Sequence, residues 1–473
     1  MGDKLGKGKG KKWTYRNKQI FIKISLKKMK KILTLISLLL IIFLCFPSSV
    51  LAFCGFYVAK ADSKLYNQAS QVIIARNGNP QGGTFGERTV LTMANDYQGN
   101  VKDFALVVPV PVPIKEDQVN VGNPKIIERL DAFSAPRLVE YFDNDPCQPV
   151  YLMDNMPSAA ETTRGGRNQM QKNETFGVTV ESKFTVGEYD IVILSAKESD
   201  GLEKWLISNG YNIPKGAKEL LQPYIRQKMK FFVAKVNLTE LSKSDYQSLR
   251  PLMIAYESPK FMLPIRLGMV NSKQAQDLIV YLLSGEGQTE LTNYRTVKIP
   301  SNVDIPEFVE KQFADFYKSM FTRSYEKEGK KVAFLEYAWN MGNCDPCSAE
   351  PLNPEELKQA GVFWYNPRGF NDLFITRLHI RYDRTHFPED LKFQNTSNQQ
   401  LFQGRYVIRH PYREKITCDA GQEYHKQTRE RQEKEAQTLA NLTGWNLAKI
   451  KQQIDFIKPE NASLPWWRKL WDN

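Results

Sequence analysis

Short apolar runs broken by polar turns dominate the chain, a pattern that predicts strands more often than long helices. In the first part, residues 71–75 (QVIIA), 88–93 (RTVLTM) and 104–108 (FALVV) read as strands. The third is stopped by Pro109, Pro111 and Pro113, which places it at an edge or an extended exit because proline donates nothing to a ladder. Between the second and third lies the turn 95–100 (NDYQGN), so the two are expected to pair as antiparallel neighbours.

Further along, residues 189–194 and 231–236 read as strands flanking two helices, one at 201–206 with an Asn209-Gly210 stop and one at 217–225. Residues 252–256 and 261–267 look like a hairpin. Its order of apolar strand, polar turn and proline-containing strand echoes the first block, which suggests a duplicated β-unit. A helical stripe of Phe308, Phe313, Phe316 and Met320 is expected to face a core, ahead of strands at 332–337 and 373–382. From Gln422 the chain turns helical and highly charged. Thr443 is a candidate cap for a last helix carrying Leu447, Ile450, Ile454 and Ile457.

These elements divide the chain into a basic leader and signal segment (1–52), an N-terminal β-rich block (53–150), a polar loop or linker (151–175), a second α+β block (176–305), a third (306–420) and a charged helical tail (421–473). The expected fold class is α+β: mainly antiparallel, β-sandwich-like blocks with interspersed helices and a helical C-terminal tail.

The leader changes how the composition is read. Met29-Lys30-Lys31 precedes an uncharged apolar run from Ile32 to Phe46, then Pro47-Ser48-Ser49-Val50-Leu51-Ala52. A basic start, an apolar stretch and a small-residue site make a secretory signal, with cleavage expected after Ala52. The chain is then exported, periplasmic or extracellular. The alternative is an inner-membrane anchor over residues 32–52 with the bulk outside. Residues 1–28 are a basic leader or lie upstream of the true start.

The net charge of +13 points first to nucleic acid. However, residues 1–31 hold twelve of the 65 Lys/Arg and one of the 52 Asp/Glu, which leaves 53 basic against 51 acidic residues elsewhere. A nearly neutral remainder has no field to attract nucleic acid. Membrane contact is expected only through the signal segment, if it is kept. Apolar residues at 42% and aromatics at 12% indicate packed cores rather than disorder.

Loss of Cys45 with the signal leaves Cys54, Cys147, Cys344, Cys347 and Cys418. Export permits disulfides, and an odd number leaves one thiol over. Cys344-Asp345-Pro346-Cys347 is the sharpest local motif. It reads as a structural cystine, alone or together with Cys147 or Cys418, or else as a redox pair. Two prolines close behind it argue against the helix that a redox centre needs. No set of four soft ligands is legible, so no metal and no cofactor are expected.

Among the four histidines, His379 stands in Arg377-Leu378-His379-Ile380-Arg381. Period-two alternation puts Arg377, His379 and Arg381 on one strand face, either a candidate anion site with forked donors or a solvated face. No signature of a hydrolase or a phosphate-binding loop is present.

Taken in order, Cys54-Gly55-Phe56-Tyr57-Val58, Asn95-Asp96-Tyr97-Gln98-Gly99, Asp103-Phe104-Ala105 through Pro109-Val110-Pro111, Ala135 to Tyr141, Gly201-Leu202-Glu203 with Asn209-Gly210-Tyr211, Leu263 to Leu267, Cys344 to Cys347, and Thr376 to His379 with Arg381-Tyr382 form a series of ordered segments. The series resembles the bacterial domain-of-unknown-function family 2330 over roughly residues 54–410. That resemblance implies an exported bacterial protein and carries over no reaction or catalytic residue. Export, a nearly neutral remainder, few histidines and many strands together point to an exported cell-envelope protein that binds or scaffolds, its partner an envelope protein or an extracellular ligand. The competing expectation is a thiol–disulfide enzyme using Cys344 and Cys347.

Overall fold

The computed structural model describes residues 56–59, 66–67, 70–77, 87–94, 97–98, 104–147, 178–209, 216–243, 249–270, 275–342, 349–365, 373–418 and 420–458. All of them fall within one compact unit, 50–473. The signal segment, the loop at 151–175, Cys54, Cys344, Cys347 and the tryptophans near the C-terminus lie outside the described residues.

Two sheets face each other. The smaller has the order β1 (Phe56–Ala59), β6 (Phe104–Val110), β11 (Lys230–Val236), β10 (Tyr189–Ala196) and β9 (Val178–Val186), antiparallel throughout. The larger runs β16 (Arg295–Lys298), β18 (Val332–Asn340), β19 (Phe374–Tyr382), β14 (Gln276–Ser284), β3 (Ser70–Asn77), β4 (Arg88–Ala94), β12 (Leu252–Glu257) and β7 (Val119–Val121), with β21 (Phe402–Gln403) added on β18. Most of its pairs are antiparallel; β14 with β3 and β16 with β18 are parallel. The expected α+β class with sandwich-like antiparallel packing is what forms.

Alternation along the strands builds the layers. Leu106, Val108, Ile191, Ile193, Phe232 and Ala234 of the smaller sheet meet Val72, Leu91, Ile254, Val280, Leu378 and Ile380 of the larger in one buried core. The intervening residues point outward and are covered by helices. On the smaller sheet, Val107, Leu194, Phe231 and Val233 pack under α2 (Ser199–Ser208) and α3 (Ala217–Arg226). On the larger, Ile73, Ala75, Tyr281, Leu283 and Ile375 pack under α1 (Pro124–Ser134) and α6 (Pro354–Gln359). Short α4 (Leu238–Lys243) precedes β12.

The far end of the larger sheet carries α5 (Phe313–Lys327), α7 (Ala420–Thr443) and α8 (Leu447–Gln453), packed on Val332, Phe334, Tyr406 and Ile408. The expected stripe is core there: Phe316 and Met320 are fully buried. Three smaller sheets complete the fold. β17 (Val303–Asp304), β22 (Arg405–His410) and β8 (Arg137–Phe142) pair in parallel. β13 (Met262–Leu263), β20 (Leu391–Asn395) and β15 (Thr289–Leu291) pair antiparallel, as do β2 (Tyr66–Asn67) and β5 (Tyr97–Gln98).

Strands from all three sequence blocks share the larger sheet, so the blocks interleave in space. Several local expectations change accordingly. β4 and β6 do not pair across their turn but enter opposite sheets. Residues 252–267 are not a hairpin, because β12 pairs with β4 and β7 while β13 pairs with β20. The second segment is drawn away by Asp390, whose carboxylate accepts the Ile265 and Arg266 N–H groups. β6 continues through Pro109; among the described residues its pairing with β1 stops at Phe56↔Val107, and β11 alone lies alongside the proline. The last helix is capped by Asn446, which accepts from Lys449 N–H. Thr443 instead donates to Leu439 O inside α7.

Gly361 ends α6 in the left-handed region, φ +91°. A Cβ there would lie 2.6 Å from Val90 Cγ1. Gly361→Ala combines backbone strain with overpacking, and a loss of about 2–4 kcal/mol is expected in urea unfolding.

Candidate functional site

Alternation does place Arg377, His379 and Arg381 on one face of β19, and that face is not solvated. It is the outer face of the larger sheet, roofed by α1 and α5, and His379 is 9% exposed. The anions against it are the chain's own carboxylates. Register puts Asp277 of β14 opposite Arg381 and Tyr281 opposite Arg377. Arg381 holds Asp277 with two parallel bonds, Nε to Oδ1 at 2.8 Å and Nη2 to Oδ2 at 2.9 Å.

A second carboxylate comes from β18. Pairing with β19 steps from Leu335↔Leu378 to Tyr337↔Arg377, so Glu336 is the extra residue of a β-bulge. The bulge lets both Glu336 and Tyr337 reach the helix side. Gly404 N–H closes it by donating to Glu336 O at 2.7 Å.

Glu336 is 1% exposed, and its two oxygens serve three donors. Arg377 Nε donates to Oε2 at 2.6 Å, His379 Nδ1 lies 2.8 Å from Oε1, and the Tyr317 hydroxyl of α5 donates to the same oxygen. His379 Nε2 lies 3.2 Å from Asp277 Oδ1. At the other end Arg377 Nη1 reaches Asp131 Oδ1 of α1 at 2.6 Å, and the Tyr281 hydroxyl donates to the same oxygen at 2.9 Å. The result is a row of alternating charge: Asp131, Arg377, Glu336, His379, Asp277, Arg381. Phe321 stacks flat on the His379 ring, centroids 3.8 Å apart, and also lies under the Arg381 guanidinium.

The row sets its own protonation. Burial works against charge on His379, but the Glu336 carboxylate and the bonds to Asp277 and Glu336 outweigh it and raise its pKa. Burial likewise works against charge on Glu336. His379 and Arg377, with the bonds from His379 and Tyr317, reverse this and hold it at about 2. Asp277 is buried too, and His379 and Arg381 hold it below the usual carboxylate range. With His379 protonated, three cations face three anions.

Sequence reasoning found the three cations and missed the three acids. Glu336 had a visible signal, a lone carboxylate inside the apolar run 332–338. Asp131 and Asp277 had none, because helix docking and strand register bring them in.

Among the described residues, Cys147 and Cys418 have sulfurs at disulfide distance, with Cα atoms 5.8 Å apart. They join the segment after β8 to the start of α7. Nearby, His410 and Glu140 are paired at 2.7 Å.

The model of a family described as uncharacterized protein conserved in bacteria (DUF2330) matches residues 48–394, well over half of the chain. The chain belongs to the DUF2330 family. No curated protein and no solved structure matches it. In this DUF2330 protein the charged row falls within the matched residues, while Cys418 and α7 lie beyond them.

Arg377→Met leaves Glu336 buried without its guanidinium partner and is expected to cost about 3–5 kcal/mol in denaturant unfolding. Arg295→Met, which breaks the exposed pair with Glu328, is expected to cost less than about 1 kcal/mol.

The pH profile follows from the shifts. His379, raised in the fold, contributes stability in full below its unfolded value of about 6.5 and loses it as pH rises through the folded value. Glu336 and Asp277, depressed in the fold, contribute in full above their unfolded values of about 4 and lose it as pH falls. The stability difference between wild type and His379→Gln is therefore expected to shrink on the alkaline side. The difference for Glu336→Gln is expected to shrink as pH falls toward about 2.

Proposed function

We propose that this DUF2330 protein is an exported envelope protein that binds or scaffolds and does not catalyse. The observation that carries the reading is the closure of the charged row. Each side chain that made the β19 face a candidate site has its acceptor or donor within the chain, under two helices, so the row fixes the helices to the sheet. The reading of an anion site at Arg377, His379 and Arg381 would require an incoming anion to displace Glu336 and Asp277.

Export is supported by the signal pattern ahead of Ala52 and by the Cys147–Cys418 pair, a bond that persists in an oxidising compartment. No described helix is long and apolar enough to cross a membrane. A contact surface is offered at the end of β8. Phe142 is 72% exposed and stacks on His410 at 4.4 Å, and the half-exposed Tyr141 lies under Arg409. Exposed aromatics with an arginine beside them are the usual anchors of protein contacts.

The test is capture of partners by the full chain from its own envelope, run beside Phe142→Ser. The reading expects one reproducible partner whose recovery falls several-fold with the variant. A Cys344–Cys347 pair that cycles with a mild dithiol and turns over a small disulfide would replace this reading with the redox one.

A further inference from the structure

The start of α7 is fastened differently from its end. The second half packs Ala436 and Leu439 into the core beneath α5 and α8. The first half is held by polar contacts around Asp143, which sits just past β8. Arg431 donates to both Asp143 oxygens, at 3.2 and 2.7 Å, and Tyr424 donates to Oδ2 at 2.8 Å. Gln432 spans to the residues after α8, donating to Asp455 O and accepting from Ile457 N–H.

Further in, Glu435 is 4% exposed. Its Oε1 faces Arg431 Nε at 3.4 Å without a hydrogen bond. Burial, helped by Asp304 and Glu307 against the opposing Arg431 and Arg409, moves this carboxyl up to about 7. This part of the interface thus buries a carboxyl without a good partner.

Four residues past Asp143 stands Cys147, which is exposed, and two residues ahead of α7 stands Cys418. Gly421 N–H donates to Cys418 O, so Cys418 occupies the N-terminus of a 24-residue helix. Gly421 is itself pressed on Ile416, whose Cγ2 would lie 2.6 Å from any Cβ there.

We propose that Cys147 and Cys418 form a thiol–disulfide latch, closed as a cystine that holds residues 420–435 of α7 down and opened by a dithiol reductant that frees these residues alone. A reductant thiolate attacks the exposed Cys147 sulfur. The S–S bond breaks, and its electron pair leaves on Cys418 sulfur, where the helix N-terminus favours a thiolate. The reductant's second thiol attacks the mixed disulfide and expels Cys147 as a thiolate. Both thiolates then take up protons as pH requires. Two electrons have passed: the dithiol has become a disulfide and the cystine two thiols. Opening separates Arg431 and Tyr424 from Asp143, and water reaches Glu435. The latch draws on the export reading only for the oxidant that closes it, a disulfide that takes up the two electrons by the reverse of these exchanges and leaves as a dithiol.

The test is hydrogen–deuterium exchange on the full chain purified without reductant, then after dithiothreitol, and on the double variant Cys147→Ser/Cys418→Ser. Peptide mapping without reduction is expected to show the 147–418 linkage. On reduction, amides 420–435 are expected to lose protection by about tenfold or more, while 436–453 and the sheets keep theirs. The double variant is expected to match the reduced chain with or without reductant. Free Cys147 and Cys418 thiols in the purified chain overturn the proposal. So does unchanged protection over 420–435, or a uniform loss across the whole fold. Because the linkage is mapped on purified protein, a latch that fails in a chain shown to be exported leaves the export reading standing. A latch that works in a chain that is not exported leaves only that reading lost.

Discussion

A carboxylate as buried as Glu336 has to be solvated by the chain itself. Removing it from water costs several kcal/mol unless charged donors replace the lost hydration. Arg377, His379 and Tyr317 do so, and each constrains the architecture. Arg377 and His379 fix the register of β18 against β19, since a slip by one residue turns both to the opposite face. Tyr317 fixes the rotation of α5. Arg377, through Nη1, fixes α1 by way of Asp131. One buried acid therefore ties two strands and two helices into a single geometry. In hydrophobic packing alone, α1 and α5 would be free to slide on an apolar surface.

The sandwich was legible in the sequence because its cause is local. Strands such as β3, β10, β11 and β19 are apolar runs of strand length, and the same runs read correctly as strands without any knowledge of their partners. Their pairing was not legible, because it depends on residues far away. β14 pairs in parallel with β3 about two hundred residues earlier, and β12 leaves its apparent hairpin partner because Asp390 captures Ile265 and Arg266. The charged row divides in the same way. Alternation alone gave Arg377, His379 and Arg381 a common face. Their neutralisation needs Asp277 from register, Glu336 from a bulge and Asp131 from a docked helix, none of which periodicity encodes.

The family match ends at residue 394, and the structure does not. Gly404 N–H donates to Glu336 O, and Gly404 O accepts from Arg137 N–H, so a residue past the matched region closes the bulge that presents the buried acid. A Cβ at Gly404 would lie 3.1 Å from that same carbonyl, so a larger residue would have to push it back by a few tenths of an ångström. β22 then runs between β17 and β8 and gives β8 its one ladder among the described residues. The segment after 394 is therefore integral to the fold over β22 and over the apolar half of α7. What lies between these two anchors, from Pro411 to Glu435, is attached through Ile416, the bonds of Tyr424 and Arg431 to Asp143, and the Cys147–Cys418 pair. A stretch held firmly at both ends and lightly in the middle is placed to move without unfolding what surrounds it.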